Sequence, residues 1–401
     1  MADKVKVLCV LDYYLPGFKG GGPIRTIANL CKSLSGDVEF SIITRDRDLG
    51  SDRPYSDIKI NEWQAVEGTP VYYADPSSFG PRAISGSGIA QECDMLYLNS
   101  FFGYRSSISL LLSSKLSRRC PRNILIAPRG EFSNGALSIK RWKKGIYLRA
   151  AKFLGLYENV RWHASTILEA EDIGRVFPRA KDRIYLAADP VSIENTDIAL
   201  AEGNEKRTGS LKIAFISRIS PMKNLEGLLE ILLAVSCEVR LEIYGPVEDV
   251  LYWERCQEIA RSLPGNIAVE YCGALEPNEV SSAFARNDLF AFPTHGENFG
   301  HVVFEALRAG TPVLVSDRTP WHAVPSGAIT VAPLDALDVW RAHLEAAADR
   351  DAEQQRSVRM AAIDYARSYA SSDGARSDNL GMFLDMTGAS ARNGLAGSAG
   401  S

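Results

Sequence analysis

Cysteine is scarce and scattered. The 401 residues hold seven (Cys9, Cys31, Cys93, Cys120, Cys237, Cys256 and Cys272), and none form a C-x-x-C pair. That argues against a zinc-binding or disulfide framework and fits a reducing cytoplasm. Long apolar runs are missing too: no stretch reaches the ~18–20 uninterrupted apolar residues of a membrane span. The opening MADKVKVLCVLDYY enters a strand-like run at once, without the apolar core and small-residue cleavage site of a secretory signal. Excess charge is also lacking. Lys+Arg 45 against Asp+Glu 49 leaves a net charge of −4, which does not suggest nucleic acid as a partner. No D-x-D metal signature stands at a strand end. Asp46-Arg47-Asp48 has the letters but falls in a polar loop and is read as surface, so neither a metal nor a cofactor is expected.

What the chain does have is apolar residues, 46 % of the total, ample for real cores. Its length favours two domains of ~100–200 residues each. Short β-rich runs alternate with longer helical patterns, the signature of parallel α/β architecture. The first series of predicted strands is Val5–Leu11, Glu39–Thr44, Met95–Asn99, Asn123–Ala127, Val160–Ala164 and Arg183–Ala187. The second is Lys212–Ser217, Val239–Tyr244, Ile267–Tyr271, Leu289–Phe292, Pro312–Ser316 and Ala328–Val331. A polar stretch between Val191 and Ser210 reads as a linker. The expected organisation is therefore an N-terminal Rossmann-like domain over 1–205 and a second over 206–365. A helix near 366–387 is expected to return to the first, and the small, polar 388–401 to form a disordered tail.

Charge is unevenly spread. Residues 1–205 carry 27 basic and 24 acidic groups, and within 105–152 twelve Lys/Arg stand against one acid, Glu131. Lys140-Arg141-Trp142-Lys143-Lys144, followed by Ile146, Leu148, Arg149 and Lys152, mixes cations with apolar groups. Such a helix suits an anionic membrane surface, and equally a solvated basic face.

Three segments carry candidate chemistry. After the first strand, Gly20-Gly21-Gly22-Pro23 precedes a helical pattern with Ile24, Ile27, Ala28, Cys31 and Leu34 at core spacing. A glycine run lets backbone approach a ligand, and the helix N-terminus offers N–H groups to an anion. A tight strand-to-helix connection explains the same letters. It is not G-x-G-x-x-G, so a dinucleotide oxidoreductase is poorly supported. In the second half, Arg218 and Lys223 follow a strand, with Ser220 or Asn224 available to cap the next helix. A planar fork and a point charge together suit a diphosphate, although two solvated cations read as well. The third segment runs from Phe292 to Pro312. Glu297 lies in a loop, Glu305 lies near the buried side of the following helix, and Gly310 stops that helix. A carboxylate there is costly without partners, and either hydroxyl donors of a ligand or a neighbouring cation would supply them.

In this order and spacing the motifs resemble retaining glycosyltransferases of the two-Rossmann (GT-B) fold, family 4 especially. Glu297 and Glu305 reproduce the E-x7-E pattern, Arg218 and Lys223 the R-x4-K pair, and Gly20–Gly22 the N-terminal glycine loop. The stretches Gly296–Gly300 and Ser316–Trp321 look like those of bacterial exopolysaccharide and O-antigen enzymes, and the likeness runs from Val5 to about Leu384. It implies two doubly wound domains facing across a cleft, and transfer of a hexose-type sugar from a nucleotide-sugar donor, without a metal and with retention of anomeric configuration. It also implies a glycan acceptor, lipid-diphosphate-linked, in cell-surface polysaccharide synthesis at the inner face of the plasma membrane.

Carried over, the resemblance makes Arg218 and Lys223 the diphosphate ligands and Glu305 the acceptor of ribose hydroxyls, with Glu297 touching the transferred sugar. The backbone of Asn298, Phe299 and Gly300 would hold sugar or phosphate oxygens. Gly21 and Gly22 would line the site near the phosphates or the acceptor, and Gly245, Gly273 and Leu275 would flank the base. One departure stands out: where many relatives carry a P-H-G histidine, this chain has Pro128-Arg129-Gly130, which leaves Arg129 as an acceptor-side candidate. His163, in Arg161–Ser165, reads as either structural or acceptor-side. A GT-B epimerase, a two-carboxylate hydrolase and a non-catalytic sugar-nucleotide binder are the competing readings.

Overall fold

The computed structural model describes residues 4–89, 92–116, 121, 123–138, 140–192 and 206–388. Most of the predicted linker (193–205), the predicted tail (389–401), and Arg118, Arg119 and Arg122 of the basic stretch lie outside the described residues. The chain divides into two compact units. One comprises the residues up to Val191 together with those from Asp373 onward, and the other comprises Ser192–Ser372.

The first unit is built on an eight-stranded sheet of β1 (Val5–Val10), β2 (Val38–Arg45), β3 (Trp63–Val66), β4 (Thr69–Ala74), β5 (Met95–Leu98), β6 (Asn123–Ile126), β7 (Arg161–Ala164) and β8 (Ile184–Leu186). Their order is β3-β4-β2-β1-β5-β6-β7-β8, parallel except for the antiparallel β3–β4 pair. That pair is a hairpin absent from the predicted strands. Its two turn residues, Glu67 and Gly68, both have positive φ (46° and 81°), the geometry that matches a two-residue turn to strand twist.

Val7, Leu8, Cys9 and Val10 of β1 are all fully buried, because both faces of the sheet are covered. Leu8 and Val10 face a cluster containing Leu96, Phe101 and Trp162. Val7 and Cys9 face a second cluster formed with Ile24, Ile27, Leu30 and Leu34 of the helix Gly22–Leu34. This second cluster is completed from far along the sequence: Met382, Phe383 and Met386 of the helix Gly374–Thr387 enter it. The Phe383 ring lies 5.5 Å from Phe40 and 5.8 Å from Tyr97. Arg376 pins the helix start to Asp37 (2.5 Å), and Asn379 Nδ2 donates to the Ala188 carbonyl (2.8 Å).

The second unit holds six parallel strands, β9 (Ser210–Ile216), β10 (Glu238–Tyr244), β11 (Ile267–Gly273), β12 (Leu289–Phe292), β13 (Val313–Ser316) and β14 (Ile329–Ala332). Their order is β11-β10-β9-β12-β13-β14. The winding direction reverses between β9 and β12, and the carboxyl ends of those two strands mark the crevice where open α/β sheets receive ligands. The predicted Arg218/Lys223 and Glu297 segments both begin there.

Candidate functional site

In the second unit the chain leaves β9 through a short turn, Pro221–Lys223, ending at Asn224 in the left-handed conformation (φ 57°). Of the two capping candidates, Asn224 is the one used. Its Oδ1 accepts from Gly227 N (3.1 Å) at the start of the helix Leu225–Leu232, and its Nδ2 donates to the Pro293 carbonyl beyond β12 (2.8 Å). The same two loops meet again at Met222, whose carbonyl accepts from His295 N (2.9 Å) and from the buried Thr294 Oγ1 (3.0 Å). Ser316 Oγ donates to Thr294 O (2.6 Å) and Glu297 N to Arg318 O (3.2 Å), tying in the end of β13.

This framework sets Lys223 and Glu297 against each other as an ion pair, their side chains only 14 % and 12 % exposed. The ammonium also sits 5.7 Å from the centre of the Phe292 ring. Arg218 turns to a different partner: its guanidinium pairs with Glu248 (3.1 Å), a half-exposed contact of the kind that contributes little to stability. Glu248, three residues beyond Gly245, was not among the sequence candidates; its place in a strand-end loop is the signal that would have found it.

Gly245 and Gly273 are drawn together, Gly245 N donating to Gly273 O (2.8 Å) and Tyr271 Oη to Gly245 O (3.0 Å). Gly245 admits no side chain. With φ 133°, a Cβ there would stand 1.9 Å from the Ser217 carbonyl oxygen. Ile219 N donates to Pro246 O (2.9 Å), so the ends of β9, β10 and β11 form one continuous rim, with Leu275 half-buried two residues past Gly273.

Gly300 (φ 79°) opens the helix His301–Arg308, which carries Glu305 half-buried one turn in, flanked by the buried Phe304 and Ala306. Asn298 is half-buried at the same turn. Phe299 serves the interior: its ring is buried 5.4 Å from that of Trp321, and its carbonyl accepts from Trp321 Nε1 (2.7 Å). That oxygen already has a donor, so what the turn Asn298–Gly300 offers a ligand is chiefly N–H groups.

The first unit places its candidates at the carboxyl ends of its own strands. Gly21 (φ 77°) caps the helix Gly22–Leu34, with Pro23 at the helix start and open space where a Gly21 Cβ would point. The loop is anchored by Asp48, whose Oδ2 accepts from Phe18 N (3.0 Å) and Lys19 N (3.2 Å). Here the surface reading of Asp46 and Asp48 is corrected: they are 1 % and 8 % exposed. Backbone amides and the Arg47 guanidinium supply the partners that make their burial possible.

Arg129 is interior too. Its side chain is 6 % exposed and salt-bridged to Asp189 (2.7 Å), which also accepts from Thr26 Oγ1 (2.9 Å). Further bonds run from Arg129 to Asn99 Oδ1 (2.9 Å) and Tyr97 Oη (2.8 Å). Tyr97 Oη in turn meets His163 Nδ1 (2.5 Å), and His163 Nε2 reaches the Ala187 carbonyl (2.8 Å). A carbonyl only accepts, so Nε2 carries the proton and Nδ1 receives one from Tyr97. Burial, reinforced by the Arg129 charge, pushes the imidazole down to about 4 and keeps it neutral. Neither Arg129 nor His163 therefore presents a free polar group at a surface, and both act as an internal brace joining the ends of β5, β6, β7 and β8. Asp189, sixty residues after Arg129, was not foreseen. The Ala-Ala-Asp-Pro stretch after the last strand of the unit is its only sequence trace.

The chain is similar to known glycosyltransferases in sequence and in fold. Residues 198–324 match the sequence model of the family Glycosyl transferases group 1. The O-antigen chain mannosyltransferase B of Escherichia coli is 26 % identical over 136 residues, 32 % of this chain and 35 % of that protein. The chain thus spans about a third of the length of this relative. Among solved structures, Anabaena HepE in complex with UDP and glucose superposes with a TM-score of 0.64 at 14 % identity, over 98 % of this chain and all of that one. WaaG, a glycosyltransferase involved in lipopolysaccharide biosynthesis, gives 0.60 at 14 % identity over 95 % and 100 % of the two chains. The chain therefore has a GT-B fold, and its residues 198–324 match the family Glycosyl transferases group 1.

Proposed function

We propose that the protein is a retaining, metal-independent glycosyltransferase. It moves a hexose-type sugar from a nucleotide-sugar donor to a glycan acceptor, carried on a lipid diphosphate, in cell-surface polysaccharide synthesis. The observation that carries this reading is the meeting of Lys223 and Glu297 at the β9/β12 reversal, inside the stretch that matches the family. The names of the relatives, an O-antigen mannosyltransferase and a protein crystallised with UDP and glucose, support the donor class and the polysaccharide setting.

In this reading the leaving group is a nucleoside diphosphate, and the chemical problem is to stabilise its growing negative charge. Lys223 supplies a fixed ammonium, Arg218 a fork released from its weak surface pair with Glu248, and the N-terminus of the helix His301–Arg308 a set of backbone N–H groups. Together these neutralise the charge without a metal. Glu305 receives ribose hydroxyls, Glu297 the sugar hydroxyls, and the Gly245 and Gly273 loops lie alongside the base. Gly21 offers an unobstructed backbone in the first unit and Gly22 opens the helix behind it, with the acceptor approaching over the basic helix that begins at Arg141.

A two-carboxylate hydrolase fits less well, since Glu297 is already committed to a cation. The test is a transfer screen of UDP-, GDP- and ADP-sugars against lipid-diphosphate acceptors, with and without chelator, the product anomer being read by NMR. Transfer should survive chelation and retain configuration. Strict metal dependence or an inverted anomer would overturn the mechanism, and donor hydrolysis alone would favour the hydrolase.

A further inference from the structure

We infer that Glu297 also acts as an internal competitor of the diphosphate, expelling the nucleoside diphosphate product by reclaiming Lys223. The inference rests on the site reading given above. The Lys223 ammonium is paired with the Glu297 carboxylate. The pair is no accident of two mobile surface chains. Both side chains are largely shielded, and the loops that carry them are joined through Met222 O and Pro293 O.

Any diphosphate must therefore take Lys223 away from Glu297. An intact donor compensates for this, because its sugar brings hydroxyl donors for the displaced carboxylate. A nucleoside diphosphate without the sugar brings none and leaves a shielded, unpartnered carboxylate beside its own negative charge, which is unfavourable. Glu297 thus penalises product binding while sparing donor binding. Once the sugar has moved to the acceptor, the carboxylate swings the balance toward release. A competitor of this kind acts on the ratio of the two affinities, and its signature is a coupling with Lys223.

The experiment is isothermal titration of UDP, GDP and ADP, and of the matching nucleotide sugars, into wild type, Glu297→Gln, Lys223→Met and the double variant. Glu297→Gln should bind the preferred nucleoside diphosphate about fivefold more tightly, the scale of a single ion pair. Its affinity for the nucleotide sugar should rise less or fall, so that product inhibition in the transfer assay deepens. Lys223→Met should weaken binding, and in that background the gain from Glu297→Gln should shrink, because only the repulsion of the diphosphate is then relieved. Glu297→Asp, which keeps the charge but shortens its reach to Lys223, should fall between wild type and Gln.

The inference is overturned if Glu297→Gln leaves nucleoside diphosphate binding unchanged or weaker while Lys223→Met abolishes it; the site reading then stands. It is overturned equally if the gain is undiminished without Lys223. If Lys223→Met binds as wild type does, or if none of the three nucleotides binds any of the proteins, the site reading itself falls.

Discussion

Arg129 occupies a position that invites an acceptor-side role, and its surroundings give it another. Its charge is matched by Asp189 and its remaining donors are used by Asn99 and Tyr97, so the guanidinium works as a brace. The letter was legible in the sequence. Its partner was not, because nothing in a one-dimensional pattern links residue 129 to residue 189. The same limit hid the burial of Asp48, whose donors are backbone amides and therefore leave no trace in residue types, while Asp46 is held by the guanidinium of the adjacent Arg47.

His163 turns this brace into a measurable pH dependence. Unfolded, it takes a proton near its ordinary ~6.5; folded, only near about 4. Below pH ~6.5 the unfolded chain binds the proton first, so stability falls as pH drops toward 4, and above pH ~6.5 this group adds no slope. The loss should approach roughly 3 kcal/mol, at 1.36 kcal/mol per unit of difference. Denaturant unfolding of wild type and His163→Asn across pH 4–7 should show the variant losing less stability over that window. Parallel curves would refute the assignment.

At the scale of elements, strands buried on both faces were the most legible, because unbroken apolar runs such as Leu8–Val10 and Leu289–Phe292 leave few alternatives. The β3–β4 hairpin escaped for the opposite reason. Trp63–Val66 is a half-exposed edge strand with a mixed pattern, and its Glu-Gly turn is less distinctive than Asn-Gly.

The helix Arg141–Phe153 turns both apolar and cationic side chains outward. Trp142 is 83 % and Phe153 90 % exposed, and Ile146 is also open, beside the exposed Arg141, Lys143, Arg149 and Lys152. Lys144 does not belong to that outer set: its Nζ donates to Ala136 O (2.7 Å) and lies over the Phe102 ring. No helix among the described residues is long and apolar enough to cross a membrane. If this helix docks on anionic lipid, each outward cation contributes about 1 kcal/mol. Lys143→Gln with Arg149→Gln should then lower binding to phosphatidylserine vesicles at low salt by roughly thirtyfold. Sedimentation measures it; wild type that stays in the supernatant would remove the membrane role.

Over the whole molecule, the path of the chain matters as much as its folds. The sheet of the first unit is covered on one face by the helix Gly22–Leu34 and by the helix Gly374–Thr387, which joins it only after the entire second unit has been traversed. Deleting everything after Asp373 would uncover Met382, Phe383 and Met386's places against β1 and β2. At about 1.5–3 kcal/mol for each large apolar side chain lost, this is comparable with the stability of a typical domain. Calorimetry should show the transition of the first unit moving down sharply while that of the second stays in place. An unshifted first transition would mean that the helix is dispensable.

The returning helix also fixes a timetable. On the ribosome the second unit has all its residues once position 372 has been made, whereas the older, N-terminal sheet keeps part of one apolar face bare until residue 387 emerges. The half that is synthesised first is thus the half that finishes last, and nascent chains stalled within the second unit would display that bare face to chaperones.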